Sequence, residues 1–222
     1  MPPRPNFFLE PFLLRPDNNK KHPGLLIAFE GVDGTGKSTQ ARLLAEALQA
    51  AGRQVVLTRE PTNGPYGQKI RQLFISRSAV SKAEELELFL ADRREHVAQV
   101  IAPALAQGHI VITDRYYLST VAYQGAAGCD PLEIIAQNQD FAPCPDLVIL
   151  LLLPVAQGLE RIRVMRREAL NAFEQEAGLE QVAKIFDNIS GEAIRRIDGS
   201  RTPAEVHQEI MRQVMTVLTL AE

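Results

Sequence analysis

Residues 30–39, EGVDGTGKST, set three glycines, a lysine, three hydroxyls and two carboxylates between an apolar run, Leu25 to Phe29, and a helical pattern that begins near Lys37. Gly31 to Ser38 matches the spacing G-x-x-x-x-G-K-[ST]. In such a loop successive backbone N–H groups point inward and wrap phosphates. Glycines permit the left-handed backbone and the close approach, and the following helix aims its positive end at the same anion. The spacing assigns Lys37 to the β- and γ-phosphates of a nucleotide and the Ser38 hydroxyl to Mg2+. The expected ATP-contacting set is Gly31, Val32, Asp33, Gly34, Thr35, Gly36, Lys37, Ser38 and Thr39. The acceptor stays open, because GTPases, ATPase motors and small-molecule kinases share this loop.

Three further segments bear on the acceptor: TREP at 58–61, FLADR at 89–93 and DRYYLSTVAYQG at 114–125. Arg59 and Asp114 fall at the ends of apolar strand patterns. In a parallel sheet such ends open onto one crevice, which places Arg59, Asp114 and Arg115 near the phosphate cradle. Two arginines there hold a second phosphate close to the γ-phosphate. Asp114 is placed to act on Mg2+ through water or to organise the arginines. Phe89 and Arg93 are four residues apart, so both project from one helical face. A ring and an edge donor suit a nucleobase, although in isolation Phe89 reads as a core aromatic and Arg93 as a surface charge near Glu95. Arg163, Arg166 and Arg167 fall at i, i+3 and i+4, on one helical face. In isolation they read as a solvated cationic stripe.

The elements that position these residues alternate. Strands are expected at 25–29, 54–58, 110–114, 147–153 and 193–197; helices at 37–51, 65–76, 82–107, 131–141, 154–167 and from 203 to about 220. Pro103 is expected to bend the long helix. Residues 168–190 read as polar and helical. Strands alternating with helices argue α/β with a parallel sheet, and strands apolar throughout are those covered on both faces. Residues 1–23, with prolines and charges interrupting apolar clusters at 7–8 and 12–14, read as a flexible or loosely docked extension. Residues 24–222 form the expected domain.

The chain has 222 residues, 45% apolar and 23% charged, with a net charge of −3. That is ordinary for a globular protein and argues against nucleic acid or anionic lipid as a partner. Only six of its 24 basic residues are Lys, and an Arg-rich balance suits planar recognition of phosphate. Two cysteines without CxxC spacing argue against a metal cluster or a disulfide framework and for a cytoplasmic setting. No apolar run reaches membrane-spanning length.

From about Gly24 onward the chain resembles the thymidylate kinase family, on the phosphate loop, TREP, FLADR, DRYYLSTVAYQG and Ile197-Asp198-Gly199. The resemblance implies a three-layer P-loop NTPase fold with a five-stranded parallel sheet and a helical lid over about 159–175. It implies phosphorylation of dTMP to dTDP with ATP and Mg2+, and a homodimer, often through the long helix. It places Asp33 at the acceptor sugar and phosphate, Arg59 and Arg115 on the dTMP phosphate, Phe89 against thymine and Arg93 on its edge. Thr120, Tyr123 and Gln124 fall at base and sugar contacts, and Arg71 is a further acceptor contact. Asp33 in the loop leaves the cradle without a basic residue, which turns the catalytic charge over to the lid, to Arg163 or Arg166. With Lys37, Asp33, Arg59 and Asp114 these lid arginines form the expected catalytic set, and Ser38 and Asp114 the metal set. The chain departs from the family in having Asn171-Ala172 before Phe173-Glu174, and TNGPYG at 62–67 in place of a Gly-Gly-Thr start. The remaining alternatives are a kinase for another deoxynucleotide or nucleoside, and a P-loop ATPase switch.

Overall fold

The computed structural model of the chain describes residues 12–14, 22–74, 80–166 and 176–221. Its frame is a five-stranded parallel sheet of β2 (Leu25–Glu30), β3 (Val55–Arg59), β4 (Ile110–Asp114), β5 (Leu147–Leu152) and β7 (Ile194–Asp198), in the order β3-β4-β2-β5-β7. Strand side chains alternate between faces, and the two cores follow that period. Leu25, Ile27 and Phe29 face one side, with Ile112 and Ile149. There they meet Leu44 and Leu48 of α1 (Lys37–Ala50) and Ile210 and Val214 of α9 (Pro203–Ala221). Leu26 and Ala28 face the other side, with Val111 and Leu150. Against them pack α4 (Ala102–Ala106), α5 (Tyr117–Ala126), α6 (Pro131–Gln139) and α8 (Glu176–Asn188). The expected three-layer arrangement with five parallel strands is what the chain forms.

Register carries the chemistry to one edge. Arg59 pairs with Asp114, and Asp114 with Phe29, so the carboxyl ends of β3, β4 and β2 finish level. The short helix α2 (Pro65–Leu73) follows β3, and α7 (Val155–Arg166) follows β5.

Several expectations are corrected. The long helix is three pieces: α3 (Lys82–His96), a π turn over Val97–Ile101, and α4. The break lies before Pro103 because proline lacks an N–H and its ring clashes with the carbonyl four residues back. The Ala102 amide reaches five residues back, to the Val97 carbonyl, which is the π pattern. The helix α5 lies where the sequence shows a motif and no element was assigned. Its buried Leu118, Val121 and Ala122 carry helical spacing. Phe12–Leu14 (β1) pairs in parallel with Ile189–Gly191 (β6), two strands that periodicity did not mark. Among the described residues no helix is long and apolar enough to cross a membrane.

Candidate active site

The loop between β2 and α1 is closed by backbone packing. A Cβ on Gly31 would lie 2.4 Å from the Leu151 carbonyl oxygen, and one on Gly34 2.2 Å from that of Gly158. Both glycines have positive φ, 133° and 81°, so a side chain is excluded by strain as well as by space. Gly34 thereby seats the first turn of α7 directly on the loop. The Lys37 ammonium donates to the Val32 carbonyl at 2.7 Å, and Thr35 Oγ1 donates to the same carbonyl at 2.9 Å. Burial and the nearby Arg115 charge push the Lys37 pKa down to about 8, against the opposite pull of Asp33, Asp114 and Glu30. No side chain caps α1 and no acidic residue lies in its first turn, so its end offers amides to an anion.

Ser38 Oγ donates a short hydrogen bond to Asp114 Oδ2. Asp114 Oδ1 is buried with no hydrogen-bond partner. A hard cation that takes oxygen ligands and keeps water and phosphate around it needs only one or two such protein groups. Ser38 and Asp114 fit that demand. Among the described residues no cluster of three His, Cys, Asp or Glu competes for a metal.

Arg115 has φ 73°, rare for a residue with a side chain. Its amide donates to the Phe29 carbonyl at 2.9 Å, and Thr113 Oγ1 donates to its carbonyl at 2.8 Å. The turn brings the guanidinium to Asp33 Oδ1 at 2.6 Å and Ser119 Oγ at 2.9 Å. Tyr123 donates to the other Asp33 oxygen at 2.6 Å. Burial opposes the Asp33 charge, but the Arg115 and Lys37 cations and the Tyr123 bond hold its pKa down to about 2. Asp33, rather than Asp114, organises this arginine. Below it Glu30 is fully buried and accepts from the Tyr116 and Ser119 amides at 3.0 and 3.1 Å. Burial pushes Glu30 up to about 7, against its bonds to Ser119 and the charge of Arg115. Sequence reasoning missed Glu30; its only signal is an acid closing an otherwise apolar strand.

Arg93 is 1% exposed, so it is no surface charge. Its Nε and Nη2 donate to Glu60 Oε2, Nη2 also to Thr120 Oγ1, and Nη1 to Asn138 Oδ1. These bonds occupy four of the five guanidinium donors. Glu60 also meets His96 Nδ1 at 3.0 Å, and His96 Nε2 meets Thr58 Oγ1 at 2.7 Å. Burial works against the Glu60 charge, yet Arg93 and His96 hold its carboxyl below the usual range. Glu60 and Asn138 were not singled out from sequence. TREP pointed to its arginine, and Asn138 lies on α6, far along the chain.

One cleft of about 370 Å³ runs through these groups. It is lined by Lys37, Ser38 and Thr39 at one end and by Phe89, Arg93, Thr120 and Gln124 at the other, with Asp33, Arg59, Arg71, Asp114, Arg115 and Tyr123 between. Phe89 is half-buried rather than a core aromatic. Gly34 and Gly36 line the cleft, whereas Gly31, Val32 and Thr35 lie beneath it. Arg59 is exposed, with Nη2 3.3 Å from Asn63 Oδ1. Arg71 donates to the carbonyls of Pro61 and Thr62, and Asp92 accepts from the Thr62 amide and hydroxyl. The altered loop at 62–67 is thus tied to α2 and α3.

The residues expected to form a lid are less gathered. Ile162 reaches the cleft, but Arg163 is exposed and does not line it. The side chain of Arg166 and residues 167–175, including Arg167 and Asn171-Ala172, lie outside the described residues. Arg161 donates to the Gly199 carbonyl at 2.9 Å and joins α7 to the loop after β7.

Residues 29–210 match the family model described as thymidylate kinase. The thymidylate kinase of Desulfotalea psychrophila (strain LSv54 / DSM 12343) is 52% identical over 200 residues, which cover 90% of this chain and 98% of the relative. That of Xanthomonas campestris pv. campestris (strain B100) is 49% identical over 89% of this chain and 84% of its own. That of Xanthomonas oryzae pv. oryzae (strain PXO99A) is 47% identical over 90% and 86%. With a match spanning the phosphate loop, the sheet and the arginine-lined cleft, this chain belongs to the thymidylate kinase family.

Proposed function

We propose that this chain transfers the γ-phosphoryl group of ATP to dTMP, giving dTDP and ADP. The observation that carries the reading is the continuity of one cleft from Lys37 to Phe89 and Arg93. A nucleoside triphosphate seated on the loop presents its γ-phosphate toward Arg59 and Arg115. A monophosphate held there, with its base against Phe89, presents its own phosphate in line. Positioning and charge neutralisation do most of the work of phosphoryl transfer.

In this reading Lys37 leaves the Val32 carbonyl for the β- and γ-phosphates. Asp33 aims Arg115 at the acceptor phosphate, and Arg71 adds charge from α2. Glu60 and Asn138 hold Arg93 so that its remaining donor meets the thymine edge. The orphan oxygen of Asp114 and the Ser38 hydroxyl would hold Mg2+, which when bound neutralises charge on the β- and γ-oxygens. Residues 24–222 act as the kinase domain, with a lid over about 159–175 that brings Arg163 or Arg166 to the transferring phosphate and excludes water. Residues 1–23 are an extension to it. We read the protein as a cytoplasmic homodimer, with the long helix as the expected contact.

ADP release measured with ATP, Mg2+ and a panel of deoxynucleoside monophosphates tests the reading. dTMP is expected to give the highest kcat/KM. A chain with an equal or higher kcat/KM for another monophosphate, or with no turnover of any of them, refutes it.

A further inference from the structure

Glu85, Phe89 and Arg93 stand four residues apart on α3, so the three side chains share one face. Phe89 and Arg93 line the inner end of the cleft. Glu85 lies behind it, 4% exposed, and Gln124 of α5 is 1% exposed. Gln124 Nε2 donates to Glu85 Oε1 at 2.8 Å. The other end of that amide, Gln124 Oε1, is buried with no hydrogen-bond partner, on a residue that lines the cleft.

A glutamine amide has a donor end and an acceptor end that nearly match in shape. Its direction is set by what it must face. A carboxylate accepts and does not donate, so the amide nitrogen turns to Glu85 and the carbonyl oxygen is left for the cleft. Turned over, the amide would set two acceptors against each other in a buried place, which is unfavourable. Beside it Arg93 presents a donor.

We propose that Glu85 is a positioning residue that fixes the polarity of the Gln124 amide and thereby selects acceptor pyrimidines carrying a ring N–H. The proposal rests on the reading of the inner cleft as the acceptor-base site. A donor from Arg93 next to an acceptor from Gln124 complements the O4 and N3–H of thymine or uracil. Cytosine has the reverse pattern, an amino donor at position 4 and a bare N3 acceptor, and meets a donor with a donor and an acceptor with an acceptor.

The test uses the full chain and two acceptors of nearly the same shape, dTMP and 5-methyl-dCMP, with Kd in place of kcat/KM where turnover is too slow. Glu85→Gln supplies either amide atom and frees Gln124 to turn. The preference for dTMP over 5-methyl-dCMP is expected to fall about tenfold, with the KM for ATP unmoved. In a Gln124→Met background Glu85→Gln is expected to change the preference no further. An unchanged preference, or an equal loss for both acceptors, refutes the assignment and leaves Glu85 a residue of the helix's first turn. If Glu85→Gln does not fold, Gln124→Met alone must lower the preference, and failure to do so refutes it as well. A chain that turns over no dTMP refutes the kinase reading and this assignment with it; a normal dTMP kinase with an unmoved preference refutes the assignment alone.

Discussion

Replacing Glu60 by Gln should expose how much of the stability around the proposed acceptor site depends on one buried charge. The side chains of Arg93 and Glu60 are 2% and 5% exposed and meet at 2.5 and 2.9 Å, with His96 on the second carboxylate oxygen. Removing one partner of a buried ion pair costs about 3–5 kcal/mol, because the other charge is left uncompensated. Gln keeps one acceptor oxygen, and Asn138 and Thr120 still receive two of the Arg93 bonds, so the lower end, about 3 kcal/mol, applies. For a chain of this length that corresponds to about 6–12 °C in Tm. Because the folded carboxyl titrates below its ordinary 4.5, the stability it adds is present above pH 4.5 and is lost as pH falls through the lower, folded value. The gap between wild type and Glu60→Gln, from urea unfolding, should therefore be full at pH 7 and close in acid. A Glu60→Met/Arg93→Met pair should be less destabilised than Glu60→Gln, since no charge is then stranded. A gap under about 1 kcal/mol at pH 7, or one that persists unchanged at pH 3, refutes the argument.

Three further outcomes are expected. Lys37→Ala should leave a folded protein whose transfer to dTMP is undetectable in the ADP-release assay; retained turnover removes Lys37 from the transferring phosphates. Phe89→Ala should raise the KM for dTMP by about 5- to 150-fold, the equivalent of about 1–3 kcal/mol of stacking, and move the KM for ATP little; equal effects would return Phe89 to packing. Because Lys37 in the unliganded protein titrates near 8 and phosphates favour its charged form, ATP affinity should fall as pH rises from 7 to 9.5. Calorimetry near pH 8 in two buffers of different ionisation enthalpy should then show proton uptake on binding, and no uptake contradicts this account of the loop.

Much of the site was legible as local pattern. The loop at 31–38 was readable because a phosphate cradle is made by consecutive residues, and Arg59, Asp114 and Arg115 because strand ends in a parallel sheet meet at one edge. Glu30, Glu60 and Asn138 were not. Each acts by burying a charge or an amide against a partner 33 to 89 positions away, such as Arg93 for Glu60 and for Asn138 and Ser119 for Glu30, and neither periodicity nor spacing marks that. The helix α5 escaped for a related reason. It is buried nearly all round, so it lacks the polar face that marks an amphipathic helix.

The order of residues alone determined the alternation of strands and helices, the phosphate loop and the set of arginines, because each rests on near neighbours or on one repeating period. Tertiary structure decided what those arginines do. Folding left Arg115 aimed by Asp33, sealed Arg93 behind Glu60 with one donor to spare, and put Arg163 outside the cleft, because direction and burial of a long side chain are set by what packs around it.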